Sequence, residues 1–131
     1  MKLSTRSRGQ IAMLKVQLRA AEKELLCNIP TNNEIYYDLI LDNYKTKEIS
    51  RIQVKFCNRR CSANKNLELR LDNKRSKRIY YKSTDINWVL VYCPKIDKIL
   101  KYEKEHFHRR KSLTINIKDV NSKWHWKKFE W

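Results

Sequence analysis

The feature that most constrains the fold is a pair of apolar runs joined by a short polar turn. Residues 35–42 read IYYDLILD, residues 48–57 read EISRIQVKFC, and the turn YKTK lies between them. Two β-rich runs joined in this way predict an antiparallel hairpin. Such a hairpin decides which side chains of the two strands can meet.

The flanking segments predict one helix before the hairpin and several strands after it. Residues 4–26 have the composition of a helix, and Ser4 or Ser7 is suited to cap its start. The apolar residues that recur there at helical spacing are Ile11, Leu14, Leu18, Ala21 and Leu25. Further strands are expected within 25–30, 67–71, 88–92, 98–107 and 112–117. No Ser/Gly/Pro-rich linker divides the chain, so we expect a single α+β domain over residues 1–131.

Gly9 is the only glycine of the chain, and it lies near the start of the predicted helix. A glycine there indicates close approach of another backbone or of a phosphate group, because it has no side chain. The alternative is that the residue has no role.

The two predicted hairpin strands carry charged residues inside apolar runs. Period-two alternation places Gln53 and Lys55 on one face of their strand, and pairing of the strands brings Asp38 to the same face. A lone charge in a half-buried strand is costly, so Asp38 and Lys55 are expected to interact. One interpretation is a structural ion pair. The other is a phosphodiester hydrolysis site, in which carboxylate and amide oxygens hold Mg²⁺ and the lysine stabilises charge on the phosphate.

The charge of the chain favours a polyanionic partner. Its formal net charge is +16, with 30 basic and 14 acidic residues. Basic residues recur along the whole chain between apolar runs, which is typical of a nucleic-acid-binding domain rather than of a disordered basic arm. No stretch approaches the ~20 apolar residues that a membrane span needs. The opening MKLSTRSRGQ lacks the apolar core of a secretory signal.

Several of these segments resemble the PD-(D/E)xK nuclease superfamily, and more narrowly its group I intron-associated homing endonucleases. The matching segments are RSRGQIAMLKVQLRAAEK, YDLIL, QVK, DINWVLVYCP and the aromatic ending FEW. The resemblance implies a restriction-endonuclease-like core, in which the N-terminal helix packs on a mixed β-sheet with an added basic β-hairpin. It also implies a metal-dependent DNA endonuclease with Mg²⁺ or Mn²⁺ as cofactor.

The resemblance assigns roles to particular positions. Asp38 would be the metal-binding acid and Lys55 the catalytic lysine. Gln53 would be the second metal ligand, where most of the superfamily has Asp or Glu. Gln10 stands near the place of a helix glutamate, so two of the usual three carboxylates would be amides. Glu34 and Glu48 are the nearest candidates for a further carboxylate.

Contacts with double-stranded DNA are expected at two basic segments, one at the start of the helix and one after the third strand. The candidates are Arg6, Arg8, Arg59, Arg60, Lys65, Arg70, Lys74, Arg75, Lys77 and Arg78. The second segment would either enter a groove as a β-ribbon or contact phosphates only. A chain of 16.0 kDa offers little surface for a long DNA site, and the resemblance implies a homo-oligomer, a dimer or tetramer. The aromatic tail would contribute to that contact, stack on bases or cover the core.

Three functions remain open from the sequence. The first is an intron-encoded homing endonuclease, the second a nuclease of the same fold such as a Holliday-junction resolvase. The third is a non-catalytic DNA-binding protein on a decayed nuclease scaffold, which the amides at Gln10 and Gln53 favour. The expected location is cytoplasmic and nucleoid-associated, or organellar if the intron is organellar, with no membrane partner.

Overall fold

The computed structural model describes residues 2–32, 35–60, 66–71, 81 and 84–131. The longest helix, α1, spans Thr5–Glu22, as the sequence predicts. The hydroxyl of Ser4 accepts a hydrogen bond from the backbone N–H of Ser7 at 3.1 Å, so Ser4 is the N-cap. Gly9 lies within α1, and no described atom lies within 4 Å of the position that its Cβ would occupy. The predicted approach of a neighbouring strand is therefore wrong.

The face that α1 buries differs from the leucine pattern of the sequence. Ala12, Val16 and Ala20 are buried against the sheet, whereas Leu14 and Leu18 are 57% and 60% exposed. Small side chains allow the helix backbone to lie close to the sheet, so the packing selects them over the larger leucines. The helix was predicted correctly, and its apolar face was not.

Within the described residues, seven strands, a short helix and a 3₁₀ helix follow α1. They are β1 (Leu26–Asn28), β2 (Leu39–Asn43), β3 (Glu48–Phe56), β4 (Leu67–Arg70), β5 (Trp88–Cys93), β6 (Lys98–Glu103), α2 (Lys104–Phe107), β7 (Ser112–Ile115) and the 3₁₀ helix Trp126–Lys128. Five strands form one sheet in the order β1-β2-β3-β5-β6. Strands β3 and β5 are parallel and the other neighbours are antiparallel, so the sheet is mixed, as expected.

The predicted hairpin is formed by β2 and β3. Its register pairs Leu39 with Ile52 and Asn43 with Glu48, and residues 44–47 make the turn. The first strand is shorter than the sequence predicts, because β2 begins at Leu39 instead of residue 35. Asp38 therefore lies just beyond the strand end and not inside the strand.

Apolar side chains form one cluster on each face of the main sheet. On one face, α1 packs over the first cluster, which includes Leu39, Ile52 and Leu90. On the other face, a second cluster includes Val89, Val91 and Tyr81, together with residues of β4, β7 and α2. Both faces of the central strands β3 and β5 are therefore covered, which holds the end of the hairpin in a fixed position.

Strand β4 was expected as an edge strand or as part of a basic hairpin. In the structure it pairs with β7 in a separate two-stranded antiparallel sheet. A contact of that kind joins distant segments, so local sequence patterns do not predict it. The predicted basic segment spans residues 58–78, and its parts 61–65 and 72–78 lie outside the described residues.

The aromatic tail covers the core, which is one of the three alternatives that the sequence left open. Trp124, Trp126 and Phe129 are partly buried against the second cluster, and Trp131 packs against the first. No helix within the described ranges is long and apolar enough to cross a bilayer.

Candidate active site

Asp38 lies at the end of the β2–β3 ladder and continues its hydrogen bonding beyond the first residue of β2. Its backbone N–H donates to the carbonyl oxygen of Ile52 at 2.8 Å. Its Oδ2 accepts the backbone N–H of Val54, also at 2.8 Å. Alternate residues of β3 direct their N–H groups toward β2, and at Val54 strand β2 has already ended. The carboxylate therefore takes the place of a missing backbone carbonyl, which fixes its orientation.

The electrostatic environment of Asp38 opposes its ionised form. Burial raises the pKa of Asp38 above its ordinary value, while the N–H of Val54 and the positive charge of Lys55 lower this pKa by less. A cation placed at the carboxylate would favour ionisation and relieve the cost of burial. The group is thus suited to bind a cation rather than to remain a solvated surface acid.

Gln53 and Lys55 project from β3 on the face opposite α1. Their neighbours across the parallel β3–β5 ladder are Val89 and Val91, which belong to the second cluster. Because Leu39 pairs with Ile52, Gln53 is the first β3 position beyond the end of β2, next to Asp38. The fold thus brings Asp38, Gln53 and Lys55 to the same end of the hairpin.

Lys55 and Asp38 interact through their charges without direct contact. The charge of Lys55 affects the pKa of Asp38, but among the described ion pairs none joins the two side chains. The Lys55 Nζ instead lies 5.1 Å from the centroid of the Tyr81 ring. Cation–π contacts contribute about 0.5–2 kcal/mol, depending on desolvation. A simple structural ion pair, one of the two interpretations of the sequence, is therefore not formed.

A cavity of about 280 Å³ opens beside Asp38. The residues that line it are Ile29, Pro30, Asn32, Ile35, Tyr37 and Asp38. Asp38 is the charged residue among these six, so a group entering the cavity would meet its carboxylate as the charged partner. The cavity has room for a phosphate group or a hydrated cation next to the hairpin end.

The oxygen atoms at the site fit a hard divalent cation, although they are few. With Oδ2 of Asp38 bonded to Val54, its Oδ1 and the amide oxygen of Gln53 remain as donors, and Mg²⁺ prefers oxygen ligands. No group of three or more His, Cys, Asp or Glu side chains within the described part of the chain could hold a metal ion. A cation at Asp38 and Gln53 would therefore need further oxygens from water or from a DNA phosphate.

The other predicted site residues lie on α1, at the far end of β3 or outside the described ranges. Gln10 is exposed on α1, and α1 packs on the sheet face opposite to Gln53 and Lys55. Glu48 lies at the far end of β3, where it pairs with Asn43. Glu34 is not among the described residues. Of the four predicted catalytic residues, three lie at this end of the hairpin and Gln10 lies on α1.

The predicted DNA-contacting residues fall into two groups. Arg6 is exposed and Arg8 partly buried in the first turns of α1. The Nε of Arg8 is shielded from solvent and has no hydrogen-bond partner among the described atoms. Arg59 and Arg60 are exposed and follow the end of β3 by three and four residues, and Arg70 is partly buried at the end of β4. The remaining five, Lys65, Lys74, Arg75, Lys77 and Arg78, lie outside the described residues.

Sequence reasoning missed two features of the site. The first is the backbone N–H of Val54, which no side-chain pattern can reveal. The second is Tyr81, which is 7% exposed and carries the Lys55 ammonium on its ring. Its position in a run of β-formers suggested only a strand residue, because its contact with β3 depends on the tertiary fold.

Comparisons with known proteins concern the family and the fold of the chain. A family model described as PD-(D/E)XK endonuclease matches residues 3–130. A search of curated proteins finds no match. Among solved structures, that of a bacterial homing endonuclease superposes with a TM-score of 0.79 at 18% sequence identity, covering 98% of this chain and 89% of that chain. At this identity the likeness shows the fold alone.

Proposed function

The chain belongs to the PD-(D/E)XK endonuclease family, and we propose that it is a Mg²⁺-dependent, sequence-specific endonuclease that cleaves double-stranded DNA. We further propose that it is an intron-encoded homing endonuclease whose single domain spans residues 1–131. The observation that carries the proposal is the meeting of Asp38, Gln53 and Lys55 at the open end of the β2–β3 ladder. A carboxylate that lines a cavity, together with an amide oxygen and a lysine on the adjacent strand, is suited to phosphodiester hydrolysis.

Each residue has a chemical role in this proposal. Asp38 and Gln53 would hold Mg²⁺ (or Mn²⁺) through side-chain oxygens, and the bond from Val54 keeps the carboxylate oriented. The bound ion would supply Lewis-acid polarisation of the phosphate and a water of lowered pKa. Lys55 would place its ammonium against the attacking water or the phosphate oxygens, where negative charge grows during hydrolysis.

Charge and surface support DNA as the partner. The net charge of +16 favours binding to the phosphate backbone. Two exposed arginines before β4, Arg59 and Arg60, are suited to such contacts. We propose that the protein acts as a dimer or tetramer, because one chain covers little of a long site.

A second candidate is a DNA-binding protein that has lost catalysis. The observation that favours it is the small number of acidic groups at the site, since Gln53 is an amide and the described residues contain no cluster of three metal-binding side chains. An amide oxygen can bind a metal ion but adds no negative charge, which weakens the affinity for Mg²⁺. This candidate predicts tight binding of DNA without cleavage.

The test compares the wild type with two lysine variants on supercoiled plasmid libraries, genomic DNA and four-way junctions, with Mg²⁺ and with EDTA. We expect discrete Mg²⁺-dependent cuts by the wild type and a loss of about 10²–10³-fold in rate for Lys55→Ala. Lys101→Ala is the matched control, because Lys101 is also a half-buried lysine over an aromatic ring, that of Trp88 at 3.6 Å. Both variants lower the net charge by one, so the comparison controls for the effect of total charge on DNA affinity.

The outcomes separate the candidates. Cuts at a defined sequence that need Mg²⁺ and Lys55 support the proposal, and preferential cutting of four-way junctions instead indicates a resolvase. Salt-sensitive binding by the wild type without any cleavage of genomic DNA or libraries supports the non-catalytic candidate. Equal rates for Lys55→Ala and Lys101→Ala would contradict the role of Lys55.

A further inference from the structure

Lys55 is a charged residue that projects toward the second apolar cluster. Its neighbour across the β3–β5 ladder is Val91, which is fully buried. Among the described residues, the aromatic ring near its ammonium is that of Tyr81. The Lys55 Nζ lies 5.1 Å from the centroid of this ring. The face of an aromatic ring carries partial negative charge, which attracts a cation without cancelling its charge. Lys55 is thus held by an uncharged group.

This environment differs from that of a structural lysine of the same sheet. The Lys101 Nζ lies 3.6 Å from the centroid of the Trp88 ring, and it also forms an ion pair with Glu103 at 3.4 Å. Among the described residues, Lys55 has Tyr81 as its aromatic contact and no carboxylate at ion-pair distance. Lys101 is neutralised by its partner, whereas the charge of Lys55 remains able to act on another anion.

The fold holds the Tyr81 ring in place independently of the lysine. Tyr81 is 7% exposed and belongs to the second apolar cluster, together with Leu71 and Phe107. Its carbonyl oxygen accepts the backbone N–H of Arg109 at 3.2 Å, which ties this residue to the turn before β7. A ring fixed by packing and by a backbone hydrogen bond can restrict a flexible lysine side chain before substrate arrives.

We propose that Tyr81 is a positioning residue that holds the Lys55 ammonium beside Asp38 over the face of its ring. The inference rests on the proposed function, since it assigns a support to the proposed catalytic lysine. Without the ring, the four-carbon stem of Lys55 samples many rotamers, and its ammonium is seldom at the phosphate when reaction occurs. The loss should therefore appear in kcat and not in DNA binding, because Tyr81 is buried.

The test uses the full chain with Tyr81→Phe, Tyr81→Leu and the control Trp88→Leu, which removes the ring under Lys101. We expect Tyr81→Phe to retain kcat within about twofold, since the ring face remains. Tyr81→Leu should lower kcat by about 10–100-fold with KM within about twofold, the size of effect typical of residues that orient a catalytic group. Trp88→Leu should change neither constant by more than about twofold.

A second measurement does not depend on cleavage. The methylene protons next to the Lys55 ammonium should show an upfield ring-current shift in NMR spectra of the wild type and of Tyr81→Phe. The shift should vanish in Tyr81→Leu, while the signals of Lys101 stay unchanged. Thermal unfolding would reveal whether Tyr81→Leu folds. If it does not, the spectra of the wild type and of Tyr81→Phe still show whether the ring at position 81 lies against Lys55.

The results distinguish failure of this inference from failure of the proposed function. Cleavage by the wild type with an unchanged kcat for Tyr81→Leu would overturn the role of Tyr81 and leave the nuclease proposal intact. An absent ring-current shift in the wild type would overturn it as well. If the wild type cleaves no DNA, the nuclease proposal fails, and the methylene shift alone decides whether Tyr81 holds Lys55.

Discussion

Replacing Asp38 by alanine and by asparagine separates its part in the hairpin from its proposed part in catalysis. The Asp38 Oδ2 accepts the N–H of Val54 at 2.8 Å, and Val54 is 8% exposed. Alanine leaves this buried N–H without its acceptor, which costs about 1–3 kcal/mol. Asparagine keeps an oxygen in the same place. In urea denaturation we therefore expect the free energy of unfolding to fall by that amount for Asp38→Ala and not for Asp38→Asn.

The pH dependence of stability provides a second comparison between the wild type and Asp38→Asn. Burial raises the pKa of Asp38 in the folded protein above its ordinary value of 3.8. The folded state therefore holds the proton more tightly than the unfolded state does, and the contribution of this group to stability is fully present below pH 3.8. That contribution is lost as the pH rises through the folded-state pKa. Relative to Asp38→Asn, which does not titrate, the wild type should lose stability over this window and then remain at a constant difference.

The activity of the two variants completes the test. Because neither alanine nor asparagine supplies a carboxylate, both should cleave DNA about 10²–10³-fold more slowly than the wild type. Asp38→Asn would then be a stable but inactive protein at neutral pH. The reasoning is refuted if both variants unfold alike, or if the stability difference between the wild type and Asp38→Asn does not change with pH.

Two further predictions concern α1. Gly9→Ala should raise the free energy of unfolding by about 0.5–1 kcal/mol, since no described atom lies within 4 Å of the new Cβ. Weaker DNA binding by this variant would indicate that a phosphate approaches Gly9 closely. Unchanged binding would show that Gly9 has no such role. Ala20→Leu should lower the free energy of unfolding by about 1–3 kcal/mol, because Ala20 is 0% exposed and the larger side chain does not fit. Leu18→Ala should leave the free energy of unfolding within about 0.5 kcal/mol of the wild-type value, because Leu18 is 60% exposed. Thermal and urea denaturation check this pair. If Leu18→Ala were less stable than Ala20→Leu, the observed buried face of α1 would be contradicted.

Local sequence patterns determined the elements of the fold and their types. The helical composition of 4–26 predicted α1, and the Ser4 cap followed from its hydrogen-bonding side chain. The alternation and turn of residues 35–57 predicted the β2–β3 hairpin. These features depend on residues that are near one another in the chain, so the backbone preferences and periodicity of the segment itself are sufficient.

The catalytic candidates could be predicted as a group, although their arrangement could not. Sequence reasoning placed Asp38, Gln53 and Lys55 at one location, because the register of a hairpin follows from its turn. It placed Asp38 inside a strand, whereas β2 begins one residue later and the carboxylate bonds to Val54. The end of a strand depends on what the next segment packs against, and the sequence of the strand does not contain that information.

Only the tertiary structure determined which face of each helix or strand is buried and which distant residues it contacts. The choice of Ala12, Val16 and Ala20 as the buried face of α1 followed from how closely the helix approaches the sheet. The contact of Lys55 with Tyr81 joins residues 26 positions apart in the chain through the packing of two sheets. The sequence by itself determined the chemical groups and the strands that carry them, because both are local properties. Their environments were decided by long-range packing, in which many weak contacts between distant segments act together.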